Sequence, residues 1–293
     1  MLVYKIKRGD IMSRKIIACG GGNIGEEENG NLMPYETEFF DEEIINLSDT
    51  RKPKILFLGL ADPENIEKYF YYFSNVFSKK YGCLCKCLEL SDLHSNQKIN
   101  DMFDWCDVVY VGGGNTFTLV NICHKYGIVE KLLQAYNQGK VMSGISAGGM
   151  CWFKYGNSIN PNNRSKLIKQ SCFNFENMAF APHCDEINGH FENVENLILN
   201  ENLVALSLSN CSALEIVDDK YRFLSSLSSS DRYKIEPFAI RSFWDDKDYI
   251  LEDVSLNGTY SDLSDLLNPS PLYNIEVKDN VKKLLKRRNI YFK

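Results

Sequence analysis

Histidine is scarce in this chain, with four in 293 residues, and the ten cysteines include no paired C-x-x-C. A zinc centre therefore has almost no ligands to draw on. Cys83, Cys85 and Cys87 alternate with Leu84 and Lys86, which is the spacing of a strand rather than of a metal hook. No apolar run approaches the roughly 18 residues of a membrane-spanning helix. The first residues, Met1 to Lys7, lack the apolar core of a signal peptide, and Met12, directly before the first strand, is an alternative start to Met1. Excess positive charge is missing too: the net charge is −6, which argues against a nucleic-acid partner. Only the stretch from Lys278 to Lys293 is locally basic, and it reads as the solvated face of a terminal helix. With no secretion signal, the thiols are expected to be reduced and the protein cytoplasmic. No repeat, no P-loop and no membrane partner is indicated.

What is present is an alternation of short apolar strands and amphipathic helices. Lys15–Cys19, Lys54–Leu60, Cys83–Leu90, Asp107–Val111 and Lys140–Ser143 read as strands, and the second is a continuous apolar run of the kind buried on both faces. Glu38–Leu47, Asp62–Tyr81, Thr116–Tyr126 and Ile128–Gln138 read as helices, the second opened by Pro63 and the last closed by Gly139. This order predicts an α/β fold with a doubly wound, mostly parallel sheet flanked by helices. Ser158 to Asn174 reads as a polar loop. Leu203–Leu208 and Ala213–Val217 read as late strands, and Tyr221–Leu224 with Arg232–Ile235 as an edge pair. The expected division is one catalytic α/β domain over residues 12–245 and a polar C-terminal extension over 246–293 ending in a short helix.

In such a sheet, sites form beyond the carboxyl ends of the strands. Three polar features fall there: Gly20-Gly21-Gly22-Asn23, Gly112-Gly113-Gly114-Asn115 and Gly144-Ile145-Ser146-Ala147-Gly148-Gly149. The third has the form of a nucleophile elbow, a tight strand-to-helix turn that lifts one hydroxyl above the sheet. Gly20, Gly22 and Gly25 formally fit a dinucleotide-binding fingerprint, but a polar loop follows instead of a helix, and Glu26-Glu27-Glu28 would repel a pyrophosphate. A serine hydroxyl needs a base, and the base needs an orienting partner. His183, after a strand stub and Pro182, is the best placed histidine, with His190 next.

The segments Tyr110 to Thr116, Gly144 to Gly148 and Ala181-Pro182-His183-Cys184-Asp185 resemble the aspartyl dipeptidase (peptidase E) and cyanophycinase family of serine peptidases, which has a fold similar to class I glutamine amidotransferases. The resemblance covers about Arg14 to Lys234 and is nearest to a less characterised bacterial branch. It implies Ser146 as nucleophile, His183 as general base and an oxyanion hole of backbone N–H groups near Gly114, Asn115 and Ala147. It also implies hydrolysis of short peptides with no metal or organic cofactor, and a homodimer. The chain departs from the family where an acid should complete the triad: Ser209-Asn210-Cys211-Ser212-Ala213-Leu214 puts Asn210 there. Asparagine can hold the imidazole tautomer but brings no charge. Asp185, Glu186 and Glu215 are the alternative acids. Gly113 and Arg164 are the candidate substrate-binding residues, Arg164 as a grip for a carboxylate. The rival reading is a non-catalytic small-molecule or partner-binding protein that keeps the elbow.

Overall fold

Apolar runs too short to stand alone become strands here because helices cover both of their faces. The computed structural model describes residues 13–28, 31–160, 163–186, 190–226, 236–254 and 256–272, with Lys282, Lys283 and Lys286 beyond them. The chain begins with β1 (Lys15–Cys19), a small hairpin of β2 (Glu27–Glu28) and β3 (Asn31–Leu32), and α1 (Glu38–Leu47). Then come β4 (Lys54–Leu58), α2 (Ile66–Ser74), β5 (Leu84–Cys87), α3 (Asn96–Trp105), β6 (Val108–Val111), α4 (Thr116–Lys125), α5 (Ile128–Asn137) and β7 (Val141–Ile145). Strands β1, β7, β6, β4 and β5 lie side by side in that order, all parallel. Ile17, Ile55, Phe57, Val108 and Tyr110 pack on one face with Phe40 and Ile44 of α1 and Phe73 of α2. Ile16, Ala18, Leu56, Val109 and Met142 belong to the opposite core, shared with α4 and α5. Burial on both faces is what makes these strands apolar without alternation.

After β7, the one-turn α6 (Ala147–Met150) carries the chain into a second sheet, a division that the strand pattern does not predict. That sheet contains β8 (Phe153–Asn160), β9 (Asn163–Ser171), β10 (Glu176–Ala181) and, after α7 (Val194–Leu197), β11 (Ala205–Leu208). The chain then returns to the first sheet with β12 (Ser212–Val217) and β13 (Lys220–Ser225), goes back to the second with β14 (Ala239–Asp245) and β15 (Asp248–Val254), and adds β16 (Ser261–Asp262) and α8 (Leu263–Leu267) to the first. Among the described residues, the first sheet has eight strands and the second six. Phe153, Met178, Phe180 and Leu206 of the second sheet join Ala18, Val111 and Met142 of the first in one core. The result is a mixed α/β fold with two sheets flanked by helices.

Two expectations change. The segment expected to be a loop from Ser158 to Asn174 is largely the β8–β9 hairpin; β9 is the last strand of its sheet, so it shows no clean apolar alternation. The stretch expected to be an appendage contributes strands to both sheets, with β15 paired along its whole length to β14 and β16 to β13. The Arg232–Ile235 strand and most of the terminal helix fall outside the described residues. Among the described residues, no helix is long and apolar enough to cross a membrane.

Candidate active site

Ser146 sits at the junction of β7 and α6 with φ 57° and ψ −118°. A non-glycine residue in that region stores roughly 1–3 kcal/mol of strain. The turn is held by the Ser146 N–H donating to the Cys19 carbonyl (3.1 Å) and by the Met150 N–H donating to the Ser146 carbonyl (2.9 Å). Although Ser146 occupies the N-cap position of α6, its side chain makes no cap bond. Its Oγ instead lies 2.8 Å from His183 Nε2. Behind the elbow, the backbones of α6 and β6 touch: a Cβ on Gly148 would lie 1.9 Å from the Val111 carbonyl oxygen.

Ser146 belongs to the first sheet and His183 to the second. His183 follows β10, and Asn210 lies in the crossing between β11 and β12. The His183 N–H donates across the two sheets to the Gly20 carbonyl (3.0 Å), while the Cys211 N–H donates to the Gly21 carbonyl (3.0 Å) and the Gly20 N–H to the Ser212 carbonyl (2.9 Å), which extends the β1–β12 pairing of the first sheet. Gly21, at φ 148°, passes beneath the side chains, and a Cβ there would lie 2.0 Å from Asn210 Oδ1 and 2.5 Å from the His183 ring. The first glycine loop thus serves to admit the histidine and asparagine.

The hydrogen-bond pattern assigns the tautomer. Asn210 Nδ2 donates to Glu186 Oε1 (2.9 Å) and to Asp185 Oδ2 (3.3 Å), so its amide nitrogen faces carboxylates and its Oδ1 faces His183. Asn210 Oδ1 lies 2.8 Å from His183 Nδ1, which must therefore be the protonated nitrogen. Nε2 is then the unprotonated nitrogen, the one that accepts from Ser146. Glu186 Oε1 also lies 3.2 Å from His183 Nδ1. Asp185 Oδ1 accepts the Asn210 N–H at 2.7 Å.

These contacts set the charges. Burial alone pushes the His183 imidazolium toward lower pKa, but the Glu186 carboxylate, with Asn210 and Asp185 behind it, outweighs burial and leaves it above its ordinary value. Burial likewise raises Glu186, yet hydrogen bonds from His183 and Asn210 and the nearby charge hold it down to about 2. His190 goes the other way, pushed to about 4 by burial and by the charge of His183, its ring centroid 6.1 Å away.

Of the alternative acids, Asp185 and Glu186 meet at the His183–Asn210 pair and Glu215 does not. Glu215 is buried in β12, where it accepts from Arg222 Nε (2.8 Å) and Nη2 (2.9 Å) and from the Tyr260 hydroxyl. The expected oxyanion donors need one correction. The Asn115 N–H donates to the Ala61 carbonyl at 2.8 Å, and its Oδ1 caps α4 by accepting the Thr118 N–H at 3.0 Å. Asn115 therefore has no main-chain donor to offer. The N–H groups of Gly113, Gly114 and Ala147 have no acceptor among the described residues. Gly113 runs beside Ser146, where a Cβ would come within 3.4 Å of Ser146 Cβ. Arg164 lies in β9, and its side chain is outside the described residues. Cys151 and Cys184 are buried, with their thiols turned to the Gly148 and Ala181 carbonyls.

Ser146 and His183 open into a cavity of about 370 Å³. Its walls include Tyr69, Tyr72 and Phe73 of α2 and Tyr110 of β6, with Lys68 the one ammonium among the lining residues and Glu26 a carboxylate. The sequence reading missed this wall, although the run Tyr69-Phe70-Tyr71-Tyr72-Phe73 is unusually aromatic for a helix with an exposed face.

A strained serine at a strand–helix elbow, bonded to a histidine that is itself bonded to an amide–carboxylate cluster, is an arrangement shared with hydrolases that attack through a hydroxyl. Comparison with known proteins narrows it. The profile of peptidase family S51 matches residues 16–224. The uncharacterized peptidase YgaJ of Bacillus subtilis (strain 168) is 30% identical over 227 residues, which span 76% of this chain and 92% of that protein. Peptidase E of Actinobacillus pleuropneumoniae serotype 5b is 26% identical over 173 residues, 53% of this chain and 71% of the relative. Among solved structures, a peptidase from an acI-B1 Actinobacterium superposes with a TM-score of 0.61 at 15% identity, covering 86% of this chain and 98% of that one. A putative peptidase E from Listeria monocytogenes EGD-e gives 0.51 at 15% identity, covering 83% and 100%. The chain belongs to peptidase family S51 and is a serine-type peptidase.

Proposed function

We propose that this protein hydrolyses short peptides through an acyl-enzyme on Ser146. The observation that carries the reading is the unbroken line from Ser146 Oγ to His183 Nε2 and from His183 Nδ1 to Asn210 Oδ1, each 2.8 Å. Ser146 Oγ attacks the peptide carbonyl while its proton passes to Nε2. The carbonyl electrons move onto oxygen, where the N–H groups of Ala147 and of Gly113 or Gly114 receive the charge; losing one such donor typically slows catalysis about 10²–10³-fold. Collapse of the tetrahedral species returns the proton from Nε2 to the departing amine. Water then repeats the sequence on the ester and releases the acid.

The cavity, about 370 Å³, suits one or two residues of a small substrate rather than an extended strand. Lys68 joins Arg164 as a group to test for holding an acidic side chain. The ten cysteines form no disulfide among the described residues, which suits a reducing compartment, and a cytoplasmic location goes with the proposal.

Mass spectrometry after fluorophosphonate treatment tests it. One adduct is expected on the wild type and none on Ser146→Ala, and His183→Ala is expected to lose most labelling while staying folded. Absence of an adduct on the wild type would reject the activated serine and favour a binding protein with the same fold.

A further inference from the structure

Asn210 stands where an acid completes the triad in the resemblance, so the site raises the question of what stabilises the imidazolium that forms when Ser146 gives up its proton. A neutral amide can orient the ring but cannot offset a positive charge. Around His183, Asp185 and Glu186 lie on the turn after β10, His190 precedes α7, and Asn210 arrives from β11, while Glu26 and Lys68 line the cavity on the far side of the serine. Of these groups, Glu186 alone places a carboxylate oxygen against Nδ1, at 3.2 Å, and that same oxygen accepts from Asn210 Nδ2 at 2.9 Å. Asp185 is instead tied to the Asn210 main chain at 2.7 Å.

We infer that Glu186, three residues beyond the histidine, supplies through a closed His183–Asn210–Glu186 triangle the negative charge that Asn210 lacks. The inference rests on the reading of Ser146 and His183 given above. The two tasks of the usual acid are divided: the Asn210 amide selects the tautomer, and the Glu186 carboxylate stabilises the charge on the ring. Glu186 is thus a positioning residue that acts through His183. A role confined to holding the turn after β10 predicts something different, because a glutamine would hold the turn equally well.

Glu186→Gln keeps the acceptor for Asn210 Nδ2 and removes only the charge. The measurement is the second-order rate of fluorophosphonate labelling across pH for the wild type, Glu186→Gln and Ser146→Ala, with the His183 ring titration followed by NMR. The expected result is a fall of about 10²-fold in rate. With it, the acid limb and the His183 titration should both move down by about one pH unit. An unchanged rate with an unmoved limb overturns the inference. So does a slower variant whose His183 titration stays in place, since that is loss of scaffolding alone. If the wild type takes no label, the serine reading fails by itself, and the NMR titration still decides whether Glu186 charges the ring.

Discussion

Asp41 shows at the scale of one residue how burial sets a pH response away from the catalytic groups. Its Oδ2 accepts from the Tyr35 hydroxyl (2.8 Å) and from Thr37 Oγ1 (3.1 Å), while Oδ1 is buried with no partner. Burial lifts its pKa to about 7, against the smaller opposing effect of those hydrogen bonds. Between its ordinary value of about 4 and that raised value, the folded protein keeps a proton that the unfolded chain releases. Stability therefore falls as pH rises through this window, by an amount on the order of 4 kcal/mol. Glu186 acts in the opposite sense: its depressed carboxyl stabilises the fold above the ordinary glutamate value, and that contribution is lost as pH falls toward about 2. Asp41→Asn is expected to flatten the upper slope, and urea denaturation at pH 5 and pH 8 checks it. Equal slopes in variant and wild type would assign the pH response elsewhere.

Elements explain why the site residues were legible to such different degrees. Ser146 could be read because everything that makes an elbow is local: a short strand, a small-residue turn and the start of a helix within ten residues. Contact between α6 and β6 depends on Gly148, whose place a methyl group would contest with the Val111 carbonyl oxygen. Gly148→Ala is expected to cost about 3 kcal/mol, as overpacking against backbone does, and to lower the melting temperature measured by calorimetry. An unchanged melting temperature would mean that the elbow moves freely against β6. His183 was legible because it follows a strand and a proline. The role of Asn115 was misread because the acceptor of its N–H, the Ala61 carbonyl, lies at the end of a different strand, more than fifty positions earlier in sequence. Glu186 and Glu215 could not be ranked for the same reason: each carboxylate finds its partners across elements, Glu186 with Asn210 and Glu215 with Arg222 and Tyr260.

Across the whole molecule, the C-terminal residues are tied in by one buried cation. Arg241 on β14 is fully buried, bonds Glu252 of β15, and donates to the Leu266 carbonyl (3.0 Å) and to the carbonyls of Asn268 and Ser270 after α8. It thereby satisfies the end of α8 and holds that helix against the sheets. Removing one partner of such a pair leaves the other charge buried alone, so Arg241→Met is expected to cost about 3–5 kcal/mol in a denaturation experiment. Arg241→Met/Glu252→Leu is expected to recover a good part of that loss. A single variant as stable as the wild type would show that residues 246–272 contribute little to the fold.

The sequence by itself determined the five parallel strands of the first sheet, helices α1, α2, α4 and α5, the elbow at Ser146 and the histidine bonded to it, because periodicity, turn glycines and the motif all act within a few residues. Only the tertiary structure decided that the late strands form two sheets, that β15 and β16 belong to them, and that α2 walls the cavity. It alone also set Glu186 against His183 and withdrew the Asn115 N–H from the site. Those outcomes depend on pairing between distant segments and on which buried polar groups satisfy one another. A linear pattern carries the chemistry of each residue, but not the partner it meets across the core.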